Sequence, residues 1–378
     1  MFRLRCITLL LLAAALAPCA PAAETDPRIV LIAYAGPLGE ANARSGRNAA
    51  LIAIDEANKS NPRINDQPVI FQLLEQDDKA DARITEYVAR LLVNSKVIGV
   101  VGHWTSASTM LAAPIYSTAG LPQVSPASWS RNFTQKSYRT AFQILGSDDI
   151  GLKYAADYLI KELKLTRVLV LDDGGYLGKS MADYFSAHVA RAGGEVVLRE
   201  SINDKTSDFN SPLQKARQTN PDLIFFSGRV IQSDVLARNL QRFHLDAKLL
   251  ITGSVVTETF LRNVGKIDNS VLAIVPSTPL EKRPGVQALQ KRYATQYGME
   301  MLPFAAYAYD SVQLLIAAAK KANSLERDKI LDALRGIKYS GISGNIAFDA
   351  NGALIKPSYT LYQIENGKWQ PLKVFTGK

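Results

Sequence analysis

Val97-Ile98-Gly99-Val100-Val101-Gly102-His103-Trp104-Thr105-Ser106-Ala107-Ser108-Thr109 decides the fold class. Val97 to Val101 is an unbroken apolar run rich in β-branched residues, the pattern of a strand covered on both faces. A short loop follows, and Ser106 to Ser117 reads as a helix with hydroxyls crowded at its N-terminus. In open α/β sheets ligands bind beyond the carboxyl ends of the strands. Helix N-termini add free N–H groups and the positive dipole end, which favour carboxylates. Ser106 and Ser108 are therefore candidate ligand contacts. Equally, Ser106 can serve only as the cap of its own helix.

The pattern extends in both directions. Upstream, Ile29 to Ala33 reads as a strand and Ser45 to Ala57 as a helix with Ala49, Ala50, Ile52, Ala53, Ile54 and Ala57 on one broad face. Val69 to Leu74 is a strand; Asp78 is read as the N-cap of a helix carrying Ile84, Val88, Leu91 and Leu92. Downstream, Leu121 to Val124 is a short strand, and Val124-Ser125-Pro126-Ala127-Ser128-Trp129 places small residues beside an aromatic, as a pocket wall or as a turn with a core tryptophan. After Gly146 the alternation restarts. Helices are expected from Asp148, over 179–192, 209–218 and 230–243, with strands at 167–171, 196–197, 223–226 and 249–252. Helices at 284–297, 304–322 and 326–335 and strand-like runs at 345–348 and 359–364 complete the chain. This alternation predicts an α/β protein with two doubly wound parallel-sheet domains. No Pro/Gly/Ser tract separates them, so ordinary chain crossings serve as the connection, a layout that suits a hinge.

The N-terminus bears on the compartment. Arg3 and Arg5, the apolar stretch Ile7 to Ala17 and Ala20-Pro21-Ala22 match a signal peptide, 1–22, cleaved after Ala22. Leu16-Ala17-Pro18-Cys19 weakly resembles a lipobox, although Pro18 fits poorly before the cysteine. Cleavage removes both cysteines, Cys6 and Cys19, so the exported chain has no disulfide and relies on its core. About 355 residues suffice for two such cores. Losing Arg3 and Arg5 lowers the net charge from +9 to +7. The basic residues are scattered, without a nucleic-acid arm, and export removes DNA as a partner.

Catalytic and metal motifs are missing. His103, His188 and His244 are far apart and lack metal-ligand spacing, so no metal or cofactor is expected. Gly174 to Ser180 superficially resembles a phosphate loop, but Asp173 stands where the first glycine is required. Gly-x-Ser-x-Gly and Gly-x-Gly-x-x-Gly after a strand are absent. A hydrolase built on Ser106 and His103 is the enzymatic alternative.

Ordered along the chain, Ile32-Ala-Tyr-Ala-Gly-Pro-Leu38, Gln76-Asp77-Asp78, Gly102-His103-x-x-Ser106, Ser125-Pro126-Ala127, Tyr176-Gly-x-x at 176–179, Asp208-Phe209 and Gly341-x-x-Gly-x-Ile-x-Phe-Asp349 resemble the Leu/Ile/Val-binding proteins of ABC transporters. The resemblance spans nearly all of the chain beyond the signal. It implies a type I periplasmic binding fold: lobe one over 27–145 plus 276–345, lobe two over 146–275 plus 346–378, and a three-strand hinge near 144–147, 275–278 and 345–347. It further implies an extracytoplasmic protein, no enzyme, that closes on a small molecule and delivers it to an inner-membrane permease; a monomer is the simplest expectation. The same fold also serves ligand-sensing modules for membrane receptors.

By the same resemblance, Ser106 and the segment Ala127, Ser128 and Trp129 hold the ligand's carboxylate, the Ala127 carbonyl faces an ammonium, and Tyr176 supplies an aromatic from the second lobe. Three positions depart from the family: Arg229 replaces a tyrosine, Ser254 a glutamate for the ammonium, and Trp129 a small hydroxyl residue. A cystine of the leucine binders is also gone, with Ala80 and Thr105 at the matching places. A buried ammonium without a carboxylate partner is costly. Arg229 in the cleft would favour an anion, while on the surface it would face solvent. Trp104 and Trp129 suit a flat or apolar ligand body. The expected ligand is thus an amino acid or a related organic carboxylate.

Overall fold

The computed structural model describes residues 26–377 apart from 204 and 268. The signal peptide expected over 1–22 lies outside them. The first half runs β1 (Arg28–Gly36), α1 (Ala41–Lys59), β2 (Arg63–Ile64), β3 (Gln67–Asp77), α2 (Ala82–Asn94), β4 (Val97–Gly102), α3 (Ser106–Thr118), β5 (Gln123–Ser125), α4 (Asn132–Gln135) and β6 (Ala141–Gln143). A second unit follows: α5 (Asp148–Lys161), β7 (Arg167–Asp172), α6 (Tyr176–Ala192), β8 (Glu195–Ser201), α7 (Asn210–Thr219), β9 (Leu223–Ser227), α8 (Val230–Arg242), β10 (Lys248–Thr252), α9 (Glu258–Val264) and β11 (Val271–Val275). After a 3-10 turn at Leu280–Lys282 come α10 (Pro284–Tyr297), α11 (Ala305–Ala322), α12 (Arg327–Arg335), β12 (Tyr339–Ser340), β13 (Asn345–Ile346), β14 (Ser358–Glu365) and β15 (Lys368–Thr376).

The strands form two main sheets. The first has order β2-β3-β1-β4-β5-β6, the second β15-β14-β11-β10-β9-β7-β8. Strands β1, β3, β4, β5 and β6 pair in parallel, as do β7 to β11; β2, β14 and β15 are antiparallel additions. The α/β fold is therefore two parallel-sheet lobes. In each sheet the winding reverses once, between β1 and β4 and between β7 and β9.

Burial explains why the apolar runs became strands. All six residues of β4 are buried, as are all five of β9 and β11. On one side of β4, Val97 and Val100 pack with Val88, Ala89 and Leu92 of α2 and Ala112 and Tyr116 of α3. On the other, Ile98 and Val101 join a continuous core that extends into the second lobe. Each such side chain contributes about 1.5–3 kcal/mol by leaving water. Helix α11 packs beside α1 and β4, returning the chain to the first lobe.

Three passages carry the chain between the lobes: residues 144–147, 276–279 and 355–357. None is regular strand, apart from an isolated bridge between Gln143 and Ala353 beside the first. The third differs from the expected 345–347. Residues 345–346 form β13, paired with β12, and Phe348 packs edge-on against Phe142 at 5.0 Å. The segment thus stays with the first lobe, and the chain reaches the second sheet only at Ser358. The expected capping role of Asp78 is also corrected. Asp81 caps α2, accepting from Arg83 N and Ile84 N, because the Asp78 carboxylate is buried and committed to His103.

Candidate functional site

The site is built where the winding of each sheet reverses, since loops diverge there and leave a crevice. In the first lobe the loops after β1 and β4 flank this point; in the second, those after β7 and β9. Trp104 and Ser106 follow β4, Tyr176 follows β7, and Arg229 follows β9.

The β4 loop must turn sharply. Gly102 has φ +149, and a Cβ there would lie 2.5 Å from the Ala35 carbonyl oxygen of the paired strand. Buried polar groups then hold the loop. His103 Nδ1 lies 2.6 Å from Asp78 Oδ2 and Nε2 3.0 Å from the Tyr116 hydroxyl. The carboxylate partner assigns the proton to Nδ1 and leaves Nε2 as the acceptor. Burial, together with the Asp78 charge, raises the Tyr116 hydroxyl well above the usual phenol range, keeping it a donor. The His103 carbonyl accepts from Thr109 Oγ1 at 2.8 Å and Ser125 Oγ at 3.4 Å, joining the β4 and β5 loops. His103 is thus a positioning residue. Its ring nitrogens are taken by Asp78 and Tyr116, so no Ser106–His103 dyad forms.

Thr105, not Ser106, caps α3: its hydroxyl accepts from Ser108 N at 3.2 Å. The Ser106 hydroxyl is thereby left to the β5 loop. Its oxygen accepts from the Ser128 hydroxyl and from Trp129 N, each at 3.2 Å. Ser128 N in turn donates to Ser125 Oγ at 3.2 Å, and Gln143 Nε2 donates to the Ser128 carbonyl at 3.0 Å. Ser106, Ala127, Ser128 and Trp129 therefore form one buried cluster at a helix N-terminus. The Ser128 hydroxyl and the Trp129 N–H are given to Ser106 Oγ, and the Ser106 hydroxyl proton remains as a donor that a carboxylate could accept.

Two tryptophans flank this cluster. Trp104 is buried, its ring 6.4 Å from that of Tyr34. Gly46 of α1 makes room for it: a Cβ there would lie 2.2 Å from Trp104 Cζ3. Trp129 lies 6.2 Å from the ring of Phe304, and its indole Nε1 is buried without a hydrogen-bond partner. An unpaired buried donor beside the hydroxyl cluster is a group that a ligand acceptor would satisfy.

The second lobe contributes differently. Tyr176 is 45% exposed, and its hydroxyl accepts from Asn132 Nδ2 at 2.9 Å, so the lobes touch across the crevice. Arg229 is not in the buried cluster. Its side chain is 53% exposed, with Nη2 3.9 Å from Glu40 Oε1 of the facing lobe. Ser254 is buried just after β10, with no hydrogen bond to the other site residues. Sequence reasoning did not single out Asn132, Glu40, Phe304 or Gly46. Only the partner each finds across the fold reveals its place, although Asn132 follows Trp129 by three residues.

Beneath the cluster, Asp148 opens α5. Its backbone N–H donates to the Trp129 carbonyl at 2.8 Å, and its Oδ1 accepts from Arg131 N and Asp149 N at 3.0 and 2.9 Å. Burial pushes its carboxyl up to about 6, against the opposing effect of those N–H groups.

Residues 30–368 match the periplasmic binding protein family. An amino acid binding protein of Pseudomonas aeruginosa is 28% identical over 350 residues, covering 91% of this chain and 92% of that protein. A leucine-, isoleucine-, valine-, threonine- and alanine-binding protein of the same organism is 28% identical over 343 residues, 88% of this chain and 89% of that protein. Among solved structures, the branched-chain amino acid transporter substrate binding protein LivJ of Streptococcus pneumoniae, in complex with isoleucine, has a TM-score of 0.82 at 24% identity, covering 92% of this chain and 100% of that one. A solute binding protein of an ABC transporter from R. palustris, in complex with benzoate, has a TM-score of 0.78 at 17% identity, covering 92% and 96%. These structural likenesses establish the type I periplasmic binding fold. With its two parallel-sheet lobes and with nearly the whole of its described length matched, the chain belongs to the periplasmic binding protein family.

Proposed function

We propose that this protein is the extracytoplasmic solute-binding component of an ABC importer, closing its lobes on a branched-chain amino acid or a related small organic carboxylate. The observation that carries this reading is the convergence of the Ser106 and Ser128 hydroxyls and the Trp129 N–H at the start of α3. Tyr176 faces the same crevice, tied to Asn132. Trp104, Ala127 and Trp129 supply the apolar wall, and Ser254 closes the second-lobe side. The names of the Pseudomonas relatives support amino acids as ligands.

The lobes move about the passages at 144–147, 276–279 and 355–357, which gives lobe one 27–145 with 276–354 and lobe two 146–275 with 355–378. The exported chain begins after Ala22, resides in the periplasm as a monomer and hands its ligand to a membrane permease. No step requires catalysis, because the polar groups at the crevice are occupied in binding and positioning.

A thermal-shift screen of the chain from residue 23 tests this reading. The probes are the branched-chain amino acids, other amino acids, aromatic acids and short aliphatic acids. A ligand at about a hundred times its dissociation constant adds roughly 2.7 kcal/mol of stability. A shift with a branched-chain amino acid or one of the acids that is lost in Ser106→Ala supports the proposal. No shift with any of them, or none that Ser106→Ala diminishes, refutes it.

A further inference from the structure

A second cavity, of about 400 Å³, opens between the lobes away from the Ser106 cluster. On the first-lobe side it is walled by Arg283 and by Met301 and Pro303 before α11; on the second-lobe side by Leu261 of α9, Tyr362 of β14 and Trp369 of β15. None of Trp104, Ser106, Ser128, Trp129, Tyr176 or Arg229 lines it.

Its walls are mainly apolar, yet two of them carry unused donors. Arg283 Nε and Nη1 are buried without a hydrogen-bond partner, and so is the indole Nε1 of Trp369. Among the described residues no carboxylate lies within ion-pair distance of Arg283. Asp310 feels its charge, but the Asp310 carboxylate is already held by Ile342 N, Ser343 N and the Ser343 hydroxyl. Glu258, Glu281, Glu300 and Lys368 also border the cavity, all exposed. A guanidinium with buried, unanswered N–H groups is costly, and a carboxylate answers it with paired acceptors.

We propose that this cavity is a second binding site, taking a monocarboxylate with an apolar body whose carboxylate pairs with Arg283. The rim carries three acids, Glu258, Glu281 and Glu300, against one lysine, Lys368, which disfavours a second negative charge, so a dicarboxylate binds worse. Because the walls come from both lobes, an occupant bridges them and favours the closed form. Ligand in the main crevice and ligand here therefore strengthen one another.

The test titrates hexanoate, 4-phenylbutyrate and glutarate calorimetrically into the chain from residue 23, as wild type, Arg283→Gln and Ser106→Ala. Expected is binding of the two monocarboxylates to wild type and to Ser106→Ala. Their affinity falls at least about tenfold in Arg283→Gln, and glutarate is weaker by a similar factor. Leu261→Trp, which fills the cavity, gives the same loss and stands in if Arg283→Gln does not fold. Binding abolished by Ser106→Ala but kept in Arg283→Gln and Leu261→Trp places the probes in the main crevice and overturns the proposal. So does the absence of monocarboxylate binding to wild type at about 10 mM.

Discussion

Asp148→Asn is expected to remove most of one pH-dependent term in stability. The Asp148 carboxyl is fully buried, with Oδ1 answered by two backbone N–H groups and Oδ2 by none. Desolvation dominates and raises it from 3.8 to about 6. Its folded value lies above its unfolded value, so the folded chain holds the proton more tightly. The associated stability is fully present below about pH 4 and is lost as pH rises through about 6. A shift of this size corresponds to about 3 kcal/mol. Asparagine keeps the Oδ1 acceptor and carries no charge to desolvate, but its buried amide finds no more partners than the protonated acid did. The diagnostic is therefore the difference in slope, not absolute stability. Urea midpoints of wild type and Asp148→Asn, measured from pH 4 to 8, should diverge progressively, with the variant gaining up to about 3 kcal/mol relative to wild type by pH 7. Parallel profiles would mean that Asp148 is solvated in the folded chain, and the reasoning would fail.

Ser106→Ala removes a hydroxyl from the buried cluster at the start of α3, so on the proposed reading ligand affinity should fall about 10- to 100-fold without loss of fold, as read by calorimetry and circular dichroism. Tyr176→Phe deletes only the Asn132 bond across the crevice; it should speed ligand release about two- to tenfold in stopped-flow fluorescence. Arg229→Ala should change affinity by less than about 1 kcal/mol, an effect that fades with salt, because the pair with Glu40 is long and exposed. A larger, salt-independent loss would put Arg229 against the ligand. His103→Ala leaves the Asp78 carboxylate buried without its ring partner and should lower stability by about 3 kcal/mol in urea unfolding.

Elements buried on both faces, such as β4, β9 and β10, announce themselves as apolar runs, and the helices α10 to α12 were legible to within a residue or so from their periodicity. Strands at the margin were not. Only Val196 and Val197 signalled β8, none of whose seven residues is buried and three of which, Glu195, Arg199 and Glu200, are charged. β15 went unread because Lys368, Gln370, Pro371 and Lys373 break the apolar pattern of an edge strand whose pairing shifts opposite Pro371. Helix α1 extends beyond Ser45 and Ala57 at both ends, where Ala41 to Arg44 and Asn58 to Lys59 mix small and polar residues that carry no periodic signal. Ser106 and the 127–129 segment could be singled out because hydroxyls and small residues followed short strands. Arg229 could not be placed, since a strand-end arginine reads the same facing a ligand or a carboxylate across the rim. Asp78 was read locally as a cap; its partner is 25 residues away.

That Asp78–His103 contact joins the loop after β3 to the loop after β4, the two loops that contain Ala80 and Thr105. Cys6 and Cys19 are the chain's two cysteines, both before the described residues. The tie is made of a carboxylate and an imidazole, so no disulfide joins these two loops, and reductant should leave the unfolding of the chain from residue 23 unchanged. The chain from residue 23 is thus a thiol-free background. A single cysteine introduced at Asn132 or Tyr176 would be the molecule's one labelling point, able to report lobe motion without competing native chemistry.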